Sequence, residues 1–88
     1  MKVNQNFILR EIAGESMLIP VGAAAAKFNG LITLNETGAT IFKALAHETS
    51  LEALVDAVTA EYDIDRETAR NDAEEFLQQL RLAGALVE

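Results

Sequence analysis

Leu31-Ile32-Thr33-Leu34-Asn35-Glu36-Thr37-Gly38-Ala39-Thr40-Ile41-Phe42 is the stretch on which the fold turns. Up to Leu34 the residues are apolar or β-branched and follow a turn marked by Asn29-Gly30, which predicts a short strand over Leu31 to Leu34. From Asn35 the apolar spacing lengthens from two to about 3.6 residues, the period of a helix. Asn35 is a suitable N-cap, because its side-chain oxygen can accept a backbone N–H of the first turn. Glu36 then places negative charge where the helix dipole favours it. Ile41, Phe42 and Leu45 form one apolar stripe, and the helix is expected to run to about Ala46.

Towards the N-terminus the pattern is strand-like. Phe7 to Ile12 is β-prone, Ala13-Gly14-Glu15 supplies a turn, and Ser16 to Val21 returns, which predicts an antiparallel hairpin. Pro20 has no N–H and belongs at an edge or near a strand end. Gly22 to Lys27 reads as a connector with one helical turn, since its alanines favour helix and the flanking glycines favour loop. Towards the C-terminus two more helices follow. One opens at Thr49-Ser50-Leu51-Glu52, where the spacing suits a capping box, carries Leu51, Leu54, Val55 and Val58, and closes near Tyr62. The other starts after Asp65 and runs to about Ala83, with Gly84 placed to stop it. Its apolar face combines Ala69, Ala73, Phe76, Leu77 and Leu80, and the tail Ala85-Leu86-Val87 is apolar enough to fold back on the core. Three short strands and then three helices cannot bury their apolar faces separately. The expectation is one α+β domain over residues 1–88, close to a winged helix-turn-helix.

Composition narrows the function. Half of the 88 residues are hydrophobic, which supports a compact core and argues against disorder. No apolar run approaches the roughly 20 residues that cross a bilayer, and no secretory signal opens the chain, so a cytoplasmic protein is the plain reading. With no cysteine there are neither disulfides nor thiolate metal ligands. The net charge of −7 is uneven: residues 1–46 carry four cations against three acids, and residues 47–88 carry three against eleven. A face that neutralises phosphates cannot be assembled from this, so nucleic acid is not the expected partner.

The residues of catalysis are also missing. The one histidine, His47, lies in a polar inter-helix turn, and Ser50 sits at a helix start where a cap role suffices. Asp63, Asp65, Glu67 and Glu74 partly echo a calcium loop, but Thr68 stands where the sharp turn needs glycine. The pattern calls for no cofactor, no metal and no enzymatic activity.

Leu34 to Phe42, with Thr49-Ser50-Leu51-Glu52-Ala53-Leu54-Val55, Ala60-Glu61-Tyr62-Asp63, the helix Asp72 to Leu80 and the stop Ala83-Gly84-Ala85-Leu86, resembles the PqqD-like family (the pyrroloquinoline quinone biosynthesis protein D superfamily). Phe7 to Gly14 is similar to that family's first strand and turn, so the resemblance covers nearly the whole chain. It implies a winged helix-turn-helix shape that binds no DNA. It also implies recognition of the leader of a ribosomally synthesised precursor peptide, on behalf of a separate enzyme, radical S-adenosylmethionine or other peptide-modifying.

Capture in that family is by strand addition. Here the candidate edge is Leu31, Ile32, Thr33 and Leu34, whose unpaired backbone groups an extended peptide could satisfy. Pockets between this strand and the last helix would take alternate peptide side chains. A helical wheel puts Ala73 and Leu77 at one margin of the apolar face with Arg70 and Arg81 just beyond, where small Ala73 leaves a recess and the arginines could hold a peptide carboxylate. Against this, an apolar stripe is ordinarily core, and Arg70 could simply pair with Glu74 at i,i+4. Two other functions share the architecture: a winged-helix DNA-binding regulator, and a structural module that pairs through the same edge as a homodimer.

Overall fold

The computed structural model describes residues 1–27 and 32–88. The Asn29-Gly30 turn and Leu31 lie outside the described residues. The elements in order are β1 (Lys2–Val3), β2 (Phe7–Ile12), β3 (Glu15–Pro20), α1 (Ala23–Lys27), β4 (Ile32–Leu34), α2 (Glu36–Ala44), α3 (Leu51–Glu61), α4 (Arg66–Leu82) and β5 (Leu86–Val87). β2, β3 and β4 make an antiparallel sheet in that order, and the three longer helices pack together with β4 leading straight into α2. This is the expected α+β, winged helix-turn-helix-like arrangement, with the β2–β3 hairpin as the wing.

Local chemistry explains most boundaries. Ala13 and Gly14 close the hairpin at φ 53° and 83°, the left-handed pair that a two-residue turn requires between twisted strands. Asp65 caps α4 through Thr68, whose N–H donates to Oδ2 at 3.3 Å and whose hydroxyl donates to Oδ1 at 2.6 Å. Its carboxyl is held below the ordinary range chiefly by that hydroxyl bond, so the acid before this helix has a structural use. Gly84, at φ 74°, ends the helix one residue beyond Ala83.

Two expectations are corrected. Of the two cap readings at α3 that of Ser50 holds, its hydroxyl accepting the Ala53 N–H at 3.2 Å. No Thr49–Glu52 capping box forms, and Glu52 is free to turn towards α4. The sheet content is also larger than three strands: Lys2 pairs with Val87 and Val3 with Leu86, so β1 and β5 form a second small ladder. The Val3 N–H reaches Leu45 O at 2.9 Å and the Asn4 N–H reaches Ala85 O at 2.7 Å, which ties this ladder to α2 and to the end of α4.

One core runs through all of this. Phe7, Leu18 and Leu34 come from the inner face of the sheet, Ile41, Phe42 and Leu45 from α2 and its end, and Leu54, Val55 and Val58 from α3. Ala69, Ala73, Phe76, Leu77 and Leu80 come from α4, and Ala85 from the tail. Tyr62 locks α2 to α3, donating its hydroxyl to Glu36 O at 3.1 Å with Thr40 Oγ1 2.9 Å away.

Candidate functional site

The phase of the hydrogen bonds in the sheet decides what the β4 edge offers. The Val21 N–H bonds Asn6 O at 2.7 Å, while the Phe7 N–H turns away to Asn4 O and Pro20, opposite Phe7, has no N–H. Bonded and non-bonded pairs alternate along an antiparallel ladder. The bonded β2–β3 pairs are therefore Ile8–Ile19, Arg10–Met17 and Ile12–Glu15, the last closing the hairpin turn. Ser16 and Leu18 consequently point their backbone groups the other way, at their partners Leu34 and Ile32. That leaves Thr33, opposite Met17, with its N–H and C=O directed out of the sheet. Thr33 is solvent-exposed, and no described strand pairs with β4 on that side, so its backbone donor and acceptor stand on an open edge.

Alongside this edge runs a cleft of about 290 Å³ between β4 and α4. Thr33, Leu34 and Asn35 line one side, Thr37 and Gly38 close one end, and Asp72, Glu75, Phe76 and Gln79 line the helix side. The four α4 residues are spaced i, i+3, i+4 and i+7, one flank of the helix. Asn35 shapes the corner. Its Oδ1 accepts the Gly38 N–H at 2.8 Å and the Thr37 hydroxyl at 3.0 Å, which fixes the first turn of α2 against the strand end. Gly38 leaves the floor open: a Cβ there would stand 3.1 Å from Asn35 Oδ1 and 3.6 Å from both Leu34 Cβ and Phe76 Cε1.

The residues singled out from the sequence divide between two places. Ile32, Thr33 and Leu34 form the edge, Ile32 and Leu34 with side chains towards the core and Thr33 facing outward. Leu31 lies outside the described residues. Arg70, Ala73, Leu77 and Arg81 are not beside that edge. Ala73 is fully buried and Leu77 is nearly so, both as core. Arg70 pairs with Glu52 on α3, not with Glu74. Arg81 pairs with Glu88 at 3.1 Å, an interaction that lowers the Glu88 carboxyl and raises the guanidinium. Leu77 and Arg81 line a second depression with Met1, Ser50, Leu51, Glu74 and Gln78, on the opposite flank of α4. The wheel singled out one margin of the helix, and nothing in α4 alone says which margin turns to the sheet. Asp72, Glu75 and Gln79, which line the cleft, were not singled out for that reason, and Phe76, read as part of the apolar face, is both core and cleft lining.

Among the described residues no three His, Asp or Glu side chains converge as a metal site, and no helix is long and apolar enough to cross a membrane. No curated protein matches the chain. Among solved structures it is similar to TbiB1 in complex with the TbiA(beta) leader peptide, at 28% identity over 92% of this chain and 88% of that one, with a TM-score of 0.70. It shares its fold with lasso peptide synthetase B1 complexed with the leader peptide, at 18% identity over 99% of this chain and 96% of that one, TM-score 0.74. The family described as coenzyme PQQ synthesis protein D (PqqD) matches residues 15–86, and the chain belongs to that family.

Proposed function

We propose that this chain captures the leader of a ribosomally made precursor peptide as an added strand on β4 and presents it to a separate enzyme, catalysing nothing itself. The observation that carries this reading is the outward-facing N–H and C=O of Thr33 beside an open cleft. An extended peptide satisfies both groups, and its alternate side chains enter the cleft. Both solved structures named above are complexes with leader peptides, which supports the same assignment. The chemistry then belongs to a partner, a radical S-adenosylmethionine enzyme or another peptide-modifying enzyme, and the exchange takes place in the cytoplasm. A pull-down from native extract, with mass spectrometry of what is retained, supplies both the peptide and the enzyme to be tested.

Thr33→Pro deletes the outward N–H at an edge position, where proline is tolerated. Calorimetry with a recovered leader peptide is expected to show weakened binding by a folded Thr33→Pro variant. Unchanged affinity would remove β4 as the docking edge. In the free chain the Thr33 amide should exchange its hydrogen faster than those of Ile32 and Leu34, and bound peptide should slow it selectively. The alternative use of this edge, self-pairing as a homodimer, would appear in light scattering as a dimer that added peptide dissociates.

A further inference from the structure

Strand addition on β4 dictates which peptide side chains meet α4, and we propose that the captured peptide places a lysine or arginine between Asp72 and Glu75. This rests on the strand-capture reading and adds the chemistry of what is captured. In an antiparallel or parallel sheet, side chains on neighbouring strands point to the same face when they lie opposite one another. Peptide residues opposite Ile32 and Leu34 therefore turn inward to the cleft, and the one between them turns outward with Thr33.

The inward residue meets a polarised slot. Its floor is apolar, made by Leu34, Gly38 and Phe76, and its helix wall carries Asp72, Glu75 and Gln79. Asp72 is half-buried and Glu75 exposed. Neither carboxylate forms an ion pair with any described residue, whereas every arginine of α4 is engaged on the other flank. Arg66 holds Glu52 at 3.0 Å and Asp56 at 2.8 Å, Arg70 holds Glu52, and Arg81 holds Glu88. The cleft is thus left with uncompensated negative charge above an aromatic floor. A long cationic side chain suits both parts, its methylene stem lying on Phe76 and its head reaching the carboxylates. An aspartate, glutamate or phosphorylated residue at that position is repelled.

The test is a library of extended peptides, randomised at every position and selected on the immobilised full chain. Asp72→Asn/Glu75→Gln and Glu75→Lys variants are run in parallel, with circular dichroism confirming that these surface substitutions leave the fold intact. The wild type is expected to enrich lysine or arginine at one position. Replacing that residue by glutamine in a selected peptide should weaken binding about two- to fivefold at low salt, the scale of a partly screened ion pair. The doubly neutralised variant should still bind but lose the preference, and Glu75→Lys should shift it towards acidic residues. Wild-type selection without a cationic preference, or the same preference in the neutralised variant, overturns the inference and leaves strand capture standing. Selected peptides whose binding ignores Thr33→Pro, or no selection at all, would count against both.

Discussion

Asn35 stands where extended backbone becomes helix, at φ −80° and ψ 178°, and its side-chain oxygen takes two donors of the first turn of α2. The residue also forms the corner of the cleft. Asn35→Ala is therefore expected to cost about 1 kcal/mol in chemical denaturation, with Asn35→Asp recovering most of it because the acceptor is retained. Peptide affinity should fall with the alanine variant as well, since Asn35 lines the cleft and holds the Thr37–Gly38 turn that closes one end of it. A cap of this kind is readable in sequence because its chemistry is local: an acceptor side chain, then an acidic first turn. Asp65 was legible on the same grounds. Thr49, by its spacing to Glu52, and Ser50 both carried a cap reading, since two hydroxyl residues beside the same helix start are not separable by local chemistry.

Between elements, Glu52 fastens α3 to α4. It receives Arg66 and Arg70, and those hydrogen bonds, the one from Arg70 foremost, hold its carboxyl below the ordinary glutamate range. A carboxyl lowered in the folded state stabilises the fold above the unfolded-state pKa of about 4.3, and the contribution fades as pH falls through the folded-state value. Thermal melts should accordingly show wild type more stable than Glu52→Gln at neutral pH, with the two converging below pH of about 4. An equal gap at all pH values would show that the pair contributes nothing through charge. The sequence placed strands β2 to β4 and helices α2 to α4 correctly because each carries its own period and stop signals. It could not place the cleft. Arg70 and Asp72 both flank the apolar stripe of α4, and only the rotation of that helix against β4, a tertiary result, sends Asp72 to the edge and Arg70 to Glu52.

Across the whole molecule the core is shared by sheet, helices and tail, so damage to it is felt everywhere. Leu80 has no exposed surface, and Ala85, which donates its N–H to Leu80 O at 2.8 Å, is equally buried. Leu80→Ala should cost about 2–5 kcal/mol in denaturant melts. That is a large part of the 5–15 kcal/mol typical of a domain, so binding should be lost through unfolding, in contrast to Thr33→Pro. The β1–β5 ladder that meets this tail was invisible beforehand, since two-residue strands from opposite ends of a chain leave no periodic signal. A last consequence follows from the phase of the open edge. Between the two β3-bonded residues Ile32 and Leu34, Thr33 presents a single outward donor and acceptor. Two neutral backbone bonds contribute only about 1–3 kcal/mol net. Held at this residue by two such bonds, a captured peptide would take its direction and register from the edge and its residence time from the side chains in the cleft.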